Sequence, residues 1–505
     1  MAETPNGFKE TTTKDLSKLF KLETTIQHLS ARPMVGIGVA ALFLSLVWIA
    51  ATIITAGSEN QAFIIAAGVI GGYMALNIGA NDVANNVGPA FGAKSLTMLG
   101  ALAIAAVFET SGALIAGGDV VKTISKNIID PSLIPNTHVF LMLMMSALLA
   151  AALWINFATF VGAPVSTTHS IVGGVMGAGI AAAGFGVVNW FVMSKIAASW
   201  VISPFLGGII AAAFLAFIKK YVLYQKDTIS AAKRWVPILV ALMAGVFAAY
   251  LSVKGLKKIW RPEPWMVAAI GAGFFAATLG LVRPWIGQRA KGMDNTKETI
   301  RGLFHLPLIC SAALLSFAHG ANDVANAVGP LAAIVTAAST GTVEAKVGIP
   351  IWVMFVGAAG ITMGLMLFGP KLIRTVGHKI TRMNPMRAYC VALSAAITVI
   401  VASALGLPVS STHIAVGAVF GVGFFREYHS SRGTHMGGYG KKGDASSSRP
   451  PSKWDLLPSE EKSRRKKLVR RQYFWTIIAA WVITVPFSAL FAGGIFAVLK
   501  ATLGS

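Results

Sequence analysis

The sequence predicts an all-α polytopic membrane protein with about 11–13 transmembrane segments, an inverted-topology repeat, and broken or re-entrant helices at a central site. Three observations support this fold class: long apolar stretches, the placement of the positive charge, and two motifs that each occur twice. Of the 505 residues, 55 % are hydrophobic and 12 % are charged, and the mean hydropathy is +0.67. Because a soluble protein carries about 25 % charged residues, a soluble fold is excluded.

Thirteen apolar stretches along the chain are candidates for membrane segments. A helix needs about 20 apolar residues to cross a hydrocarbon core, and most of the stretches reach that length. They cover residues 34–56, 61–81, 97–118, 138–158, 165–184, 190–218, 236–253, 265–286, 303–322, 349–369, 388–405, 409–425 and 473–499.

The net charge of +23 is concentrated between the apolar stretches. Lys and Arg cluster in residues 219–234, 283–301, 371–387 and 426–471, which is typical of cytoplasmic loops under the positive-inside rule. This distribution argues against nucleic acid as a partner.

The two cysteines, Cys310 and Cys390, lie in apolar stretches, so we expect them to pack in the interior rather than form a metal site or a disulfide framework.

Two motifs occur twice and indicate a duplicated unit. The segment Gly-Ala-Asn-Asp-Val-Ala-Asn around Asp82 returns around Asp323, 241 residues later, and Pro-Val-Ser-Thr-Thr-His at residues 164–169 returns as Pro-Val-Ser-Ser-Thr-His at 408–413, 244 residues later. The predicted parts are a cytoplasmic tail (1–33), an additional N-terminal transmembrane helix (34–60), a first transport repeat (61–218), a linker with two transmembrane helices (219–302), and a second transport repeat (303–499) that is interrupted by a flexible basic cytoplasmic loop (426–472).

The loop charges predict that the two repeats have opposite orientations in the membrane. Each repeat contains five apolar stretches, and an odd number of crossings permits inversion. If the basic residues 219–234 are inside, the first repeat begins outside, whereas residues 283–301 make the second repeat begin inside. Two basic segments disagree, namely Lys122 with Lys126, and residues 254–261. Inverted repeats are the architecture of many secondary transporters.

The Ser/Thr motif predicts an anion site. Pro164 disfavours helix at the preceding residue, and Ser166 or Thr167 is a suitable N-cap for a helix that starts there. A helix that begins inside the membrane directs free N–H groups and the positive end of its dipole into the protein. The alternative is that these hydroxyls bond to their own helix. The motif occurs twice, so we favour a site formed by Ser166, Thr167, Thr168, Ser410, Ser411 and Thr412.

The Asn-Asp motif predicts a cation site. Carboxylate and amide oxygens about one turn apart suit a hard cation such as Na⁺, and a carboxylate can also carry a transferable proton. The expected cation ligands are Asp82, Asn85, Asp323 and Asn326, with Asp82 and Asp323 as the metal ligands if the cation is Na⁺; Asn81 and Asn322 are assigned to the substrate. A Gly-Pro pair follows each motif and predicts a helix break. The alternative is an Asp that caps a broken helix. An anion beside two carboxylates is repelled unless cations or protons accompany it, which predicts obligatory coupling.

Four further polar residues in the apolar stretches are weaker candidates. Glu109 has no acidic counterpart in the second repeat and is either a further cation ligand or proton carrier, or a buried structural group. His169 and His413 follow the hydroxyl clusters, where a structural role is favoured over pH sensing. His319 corresponds to Ile78 in the first repeat and is the weakest candidate.

The doubled motifs, together with Phe108-Glu109-Thr110, resemble those of the inorganic phosphate transporter (PiT) family. The resemblance covers residues 61–425 and the last apolar stretch. It implies a symporter, without other cofactors, that imports phosphate with Na⁺ or H⁺ by alternating access, in which both copies of each motif line one central site. Sulfate is an alternative substrate on the same scaffold.

A membrane-embedded serine hydrolase or phosphatase is disfavoured, because the sequence has no Gly-x-Ser-x-Gly elbow and no metal-binding spacing. The expected location is the cytoplasmic membrane, with a homodimer as one option for assembly.

Overall fold

The computed structural model describes residues 33–161, 165–255, 261–343, 348–376, 383–431 and 471–503. The predicted N-terminal tail lies outside these residues except for its last position, and so does most of the predicted basic loop 426–472. The α-helices of the described residues are α1 (Pro33–Ile54), α2 (Gln61–Asn81), α3 (Ala84–Gly92), α4 (Met98–Ala116), α5 (Gly118–Lys122), α6 (Thr137–Val161), α7 (Thr167–Ala183), α8 (Trp190–Ile218), α9 (Thr228–Lys254), α10 (Pro264–Arg289), α11 (Lys297–Gly302), α12 (His305–Thr340), α13 (Ile351–Thr375), α14 (Pro385–Ala404), α15 (Ser411–Ser431) and α16 (Arg471–Leu503).

Eleven helices of the described residues are long and apolar enough to cross a membrane. A helix satisfies all backbone hydrogen bonds within one segment, as lipid requires, and apolar stretches of about 20 residues have the length of such a helix. The all-α polytopic class and the number of segments are therefore confirmed. Helices α7 and α15 are not among the eleven spans. Both begin inside the protein, because the residues before them, Ser166 and Ser410, are buried.

The two Asn-Asp motifs have different backbones. In the first, α2 ends at Asn81 and α3 begins at Ala84, so Asp82 lies in the turn between them. In the second, α12 continues through Asp323 without interruption. The helix break that the Gly-Pro pair predicted beside each carboxylate is therefore present at Asp82 and absent at Asp323. A proline within a helix removes one hydrogen bond, and buried packing around α12 keeps the helix continuous.

Glycines bring helices of the two predicted repeats into backbone contact. A Cβ at Gly79 of α2 would overlap the backbone oxygen of Ile361 in α13, and a Cβ at Gly320 of α12 would overlap that of Glu109 in α4. The two glycines hold the same place in the repeated motif. Only glycine permits such close approach, so α2–α13 and α4–α12 form two matching pairs.

A second set of matching pairs contains the helices that follow the Ser/Thr motifs. A Cβ at Gly177 of α7 would overlap the backbone oxygen of Ala489 in α16, and a Cβ at Gly421 of α15 would overlap that of Gly208 in α8. Gly177 and Gly421 are 244 residues apart, like the motifs themselves. Each pair thus joins one helix of residues 61–218 to one helix of residues 303–499.

Helices α2 and α12, which carry the two Asn-Asp motifs, run antiparallel. Near the start of α2, the Asn60 side chain donates a hydrogen bond to the carbonyl of Ala338, at the end of α12. Further along, Gly71 contacts Leu331. The motif at the end of α2 then meets the middle of α12 at Asp323. Residue numbers rise along one helix while they fall along the other, so the two motifs approach each other from opposite directions.

Candidate functional site

The two aspartates of the repeated motif meet in the interior of the helix bundle. Asp82 is 2 % exposed and Asp323 is 1 % exposed. One oxygen of each lies within 4.8 Å of the other and of a ring nitrogen of His319. Placing two carboxylates this close in an apolar interior is costly, so the site needs positive charge or protons to be stable.

The hydroxyl motifs begin two helices directly beside these carboxylates. The Ser166 side chain accepts a hydrogen bond from the backbone N–H of His169 at 3.2 Å, and Ser410 accepts one from the N–H of His413 at 3.3 Å. Both serines are therefore N-caps, and of the two residues proposed for α7 the cap is Ser166. The N–H groups of the first helical turn have no intrahelical carbonyl, and at both helices they point into the protein.

Each aspartate accepts a hydrogen bond from a hydroxyl of its own repeat. Thr167 donates to Asp82 Oδ2 at 2.8 Å, and Ser411 donates to Asp323 Oδ2 at 3.4 Å. Thr167 and Ser411 hold the same place in the repeated motif. In addition, Thr412 donates to Asp82 Oδ1 at 3.1 Å. The Ser/Thr and Asn-Asp motifs therefore form one cluster rather than two sites.

The asparagine that follows each aspartate contacts a threonine of the other repeat. Asn85 Nδ2 donates to Thr412 Oγ1 at 2.9 Å. In the matching positions, Asn326 Nδ2 donates to Thr168 Oγ1 at 3.2 Å and also to Thr167 Oγ1 at 3.1 Å. These crosswise bonds connect the two repeats through the residues that the sequence assigned to the cations and to the anion.

Asn81 and Asn322, which the sequence assigned to the substrate, bond to a neighbouring helix. Asn81 Nδ2 donates to Thr159 Oγ1 at 2.6 Å, and Asn322 Nδ2 donates to Ser403 Oγ at 2.9 Å. Asn322 Oδ1 also accepts from the backbone N–H of Val409 at 3.2 Å. Asn322 therefore holds the segment that leads into the second hydroxyl motif, whereas Asn81 connects α2 to α6.

Two side-chain oxygens of the cluster accept no hydrogen bond, and one backbone carbonyl lacks its usual helical donor. Asp323 Oδ1 and Asn326 Oδ1 are buried and accept no hydrogen bond. They lie one helical turn apart on α12. Pro330 has no N–H to donate to the backbone carbonyl of Asn326, four residues earlier. Buried polar atoms are normally satisfied, so this group of oxygens suits a hard cation such as Na⁺. Pro89 leaves the carbonyl of Asn85 without the same donor.

Glu109 and His319 are part of the same cluster. His319 Nδ1 lies 2.7 Å from Glu109 Oε2, and its Nε2 lies 2.7 Å from Asp323 Oδ2. Asn86 Nδ2 donates to Glu109 Oε1 at 2.8 Å. Among the candidates predicted from the sequence, His319 is the weakest, and Asn86 is not one of them. The signal that could have found them is the difference between the motif copies, which have Ile78 and Ala327 at these places.

His169 and His413 meet behind the hydroxyls. Their rings contact edge to face with centroids 5.1 Å apart, and His169 also stacks on Trp200 at 3.8 Å. His169 Nδ1 lies 2.7 Å from Ser166 Oγ. Trp200 Nε1 donates to the carbonyl of Pro408 at 3.0 Å. This packing holds the beginnings of α7 and α15 against each other, consistent with the structural role favoured from the sequence.

A protein-family model and proteins from other organisms are similar to this chain. A family model described as the phosphate transporter family matches residues 78–492. The chain is similar to a relative from Helicobacter pylori (strain J99) whose provisional name is phosphate permease, with 46 % identity over 504 residues that cover 92 % of this chain and 95 % of the relative. A relative from Pyrococcus furiosus with the same provisional name is 36 % identical over 436 residues, which cover 86 % of this chain and 96 % of the relative.

One solved structure is also similar to the chain. It is described as the sodium-dependent phosphate transporter, and it matches with a TM-score of 0.76 and 34 % sequence identity. The match covers 87 % of this chain and 100 % of that chain.

Proposed function

This chain belongs to the phosphate transporter family, and we propose that it imports inorganic phosphate by symport with Na⁺ through alternating access. The family membership and the eleven apolar helices make it a multi-pass membrane protein that transports phosphate and is not an enzyme. The coupling ion, the residues of the site and the cytoplasmic membrane as its location are parts of the proposal.

One observation carries the proposal: the oxygens suited to a cation and the hydroxyls suited to an anion share hydrogen bonds in one buried cluster. Thr167 and Thr412 donate to Asp82, and Ser411 donates to Asp323. Phosphate needs donors such as these hydroxyls and the free N–H groups at the starts of α7 and α15. Because the carboxylates repel phosphate, it binds only when cations bind with it, which couples the two flows.

The choice of Na⁺ rests on two supports. The solved structure that is similar over its whole length is described as sodium-dependent. The available ligands at Asp323 and Asn326 are oxygens, which Na⁺ accepts without a change in protonation. Symport with H⁺ remains the competing outcome of the experiment, in which case the carboxylates would carry the coupled protons.

We further propose that residues 61–218 and 303–499 are inverted repeats. The antiparallel course of α2 and α12 supports this arrangement, because these helices begin the two repeats and carry the same motif. Further support comes from the matching pairs of helices. Inversion gives the site access from either membrane face by equivalent movements.

Uptake into proteoliposomes tests the function directly. Labelled phosphate should accumulate when an inward Na⁺ gradient is imposed, and replacing Na⁺ with choline should abolish accumulation. Accumulation that follows a proton gradient alone would replace Na⁺ with H⁺, and uptake that ignores both gradients would refute symport. Competition by excess sulfate but not by arsenate would contradict phosphate as the substrate.

The aspartates provide the site-specific test. Asp82→Asn and Asp323→Asn should each reduce Na⁺-driven uptake at least about tenfold, since even the loss of a group that only supports a metal ligand costs 10- to 100-fold. Asp130→Asn is the matched control: its carboxylate lies in a surface loop, is exposed and bonds to Ser132, so uptake should stay within about twofold. Wild-type uptake by both site variants, with equal amounts in the membrane, would assign Asp82 and Asp323 a structural role.

A further inference from the structure

The residues around Asp323 and those around Asp82 differ on one side of the buried cluster. Helices α4 and α13 contact each other through the hydroxyls of Thr110 and Thr362, which are 2.8 Å apart, and the glycine contacts place Ile361 of α13 where Glu109 stands in α4. The positions that hold Asn86, Glu109 and His319 around Asp323 are occupied by Ala327, Ile361 and Ile78 around Asp82.

The polar set forms a continuous chain of contacts. Asn86 donates to Glu109, Glu109 contacts His319 Nδ1, and His319 Nε2 contacts Asp323. Every member is at most 1 % exposed. The equivalent apolar residues Ile78 and Ile361 are also buried. Apolar residues of similar volume usually stabilise such a place at least as well as a buried ion pair, so folding stability does not explain the polar chain.

As a consequence, the carboxylate of Asp323 is held through one oxygen, and its other oxygen is available to a cation. His319 engages Asp323 Oδ2, whereas Asp323 Oδ1 and Asn326 Oδ1 accept no hydrogen bond. By contrast, both carboxylate oxygens of Asp82 accept a hydrogen bond from a hydroxyl. A ligand that is already oriented binds its cation with a smaller entropic cost.

We propose that the chain Asn86–Glu109–His319 positions Asp323 so that the Asp323–Asn326 position binds the first cation, before phosphate and before the Asp82 position is filled. His319 is thus a positioning residue for the cation. This inference rests on the proposed function, since it concerns the order of the ions that the symporter uses.

Variants of His319 separate positioning from simple packing. Gln can place its amide nitrogen where His319 Nε2 lies and so keep a polar hydrogen-bearing group beside Asp323 Oδ2. Asn can replace only the Nδ1 donor to Glu109. His319→Asn should raise the half-saturating Na⁺ concentration about 10- to 100-fold, while His319→Gln should stay within about threefold of the wild type. The half-saturating phosphate concentration at saturating Na⁺ should change little in either variant.

The triple variant Asn86→Ala, Glu109→Ile and His319→Ile copies the apolar side of the site and leaves no buried amide without a partner. It should fold and should show the same loss of Na⁺ affinity as His319→Asn. The second measurement is stabilisation of the solubilised protein by Na⁺ without phosphate, at constant ionic strength with choline. A cation that binds only the folded state raises the melting temperature. Asp323→Asn should abolish that rise, and Asp82→Asn should retain it.

The results distinguish the two proposals. If wild-type uptake does not depend on Na⁺, the proposed symport with Na⁺ fails. If wild-type uptake depends on Na⁺ but His319→Asn and His319→Gln have equal effects, or Asp82→Asn alone abolishes the rise in melting temperature, then the positioning role is refuted and the symport proposal stands. Should the triple variant not fold, the comparison of His319→Asn with His319→Gln decides.

Discussion

Individual hydroxyl groups determine how the buried carboxylates are satisfied. Thr412 serves both motifs, since its Oγ1 donates to Asp82 Oδ1 and accepts from Asn85 Nδ2. A hydrogen bond to a charged group contributes about 1.5–3 kcal/mol, which is more than a neutral pair contributes. Thr412 makes two contacts across the predicted repeats, one of them to a carboxylate, and is therefore a sensitive position for testing the site.

We predict that Thr412→Val raises the half-saturating phosphate concentration about tenfold or more, because the isosteric side chain removes the donor to Asp82 and about 1.4 kcal/mol corresponds to a factor of ten. Thr398→Val is the matched control: Thr398 is buried, but its hydroxyl bonds only to Ser394 of its own helix. The measurement is initial uptake against phosphate concentration at saturating Na⁺. Equal values for the two variants would remove Thr412 from the site.

Packing of the helices depends on glycine at the places where backbones touch. The α7–α16 and α8–α15 pairs are held by this contact, and both α7 and α15 carry hydroxyl residues of the site in their first turns. Any displacement of these helices from their partners therefore moves the hydroxyls relative to Asp82 and Asp323. The position of the proposed anion site therefore depends on packing further along each helix, at Gly177 and Gly421.

Gly177→Ala should destabilise the protein, because the added Cβ would overlap the backbone oxygen of Ala489, which cannot move aside as a flexible side chain can. Overpacking of this kind typically costs about 1–3 kcal/mol. Gly280→Ala in α10 meets nothing within 4 Å and should be neutral or slightly stabilising. Thermal unfolding of both purified variants is the measurement, and a Gly177→Ala protein as stable as the control would show that α7 and α16 can separate freely.

At the scale of the whole molecule, one basic residue that disagrees with the proposed orientation has a charged partner. Lys254 belongs to the basic segment 254–261, which disagrees with the orientation predicted from the loop charges. In the structure its ammonium group contacts the carboxylate of Asp119 and donates to the carbonyl of Ala404 at 3.0 Å. The positive-inside rule counts lysines and arginines rather than net charge, so this pairing stabilises Lys254 locally and leaves its disagreement with the proposed orientation in place.

Cysteine labelling checks the orientation of the repeats. In a protein whose native cysteines are replaced by alanine, Glu59→Cys precedes the first repeat and Lys291→Cys precedes the second; both positions are exposed. We expect a membrane-impermeant maleimide to label Glu59→Cys in intact cells and Lys291→Cys only after permeabilisation. Labelling of both from the same side would contradict inversion.

The sequence by itself determined the membrane fold and the identity of the central motifs. Apolar stretches of sufficient length must become helices in lipid, and a motif that is repeated with Asp82 and Asp323 in apolar surroundings indicates a common role. For the same reason, the hydroxyl residues Thr167, Ser411 and Thr412 could be predicted as members of the site: their chemistry is local and the repetition is visible in the chain.

Only the tertiary structure decided how these residues are connected. The continuous course of α12 through Asp323, and the chain from Asn86 through Glu109 to His319, depend on contacts between residues up to 210 positions apart. No local pattern encodes such contacts, because they arise when glycines allow α4 and α12 to touch. The sequence therefore indicates the groups that we propose to bind phosphate and its cations, while packing decides which of the two carboxylates contacts the chain from Asn86 to His319.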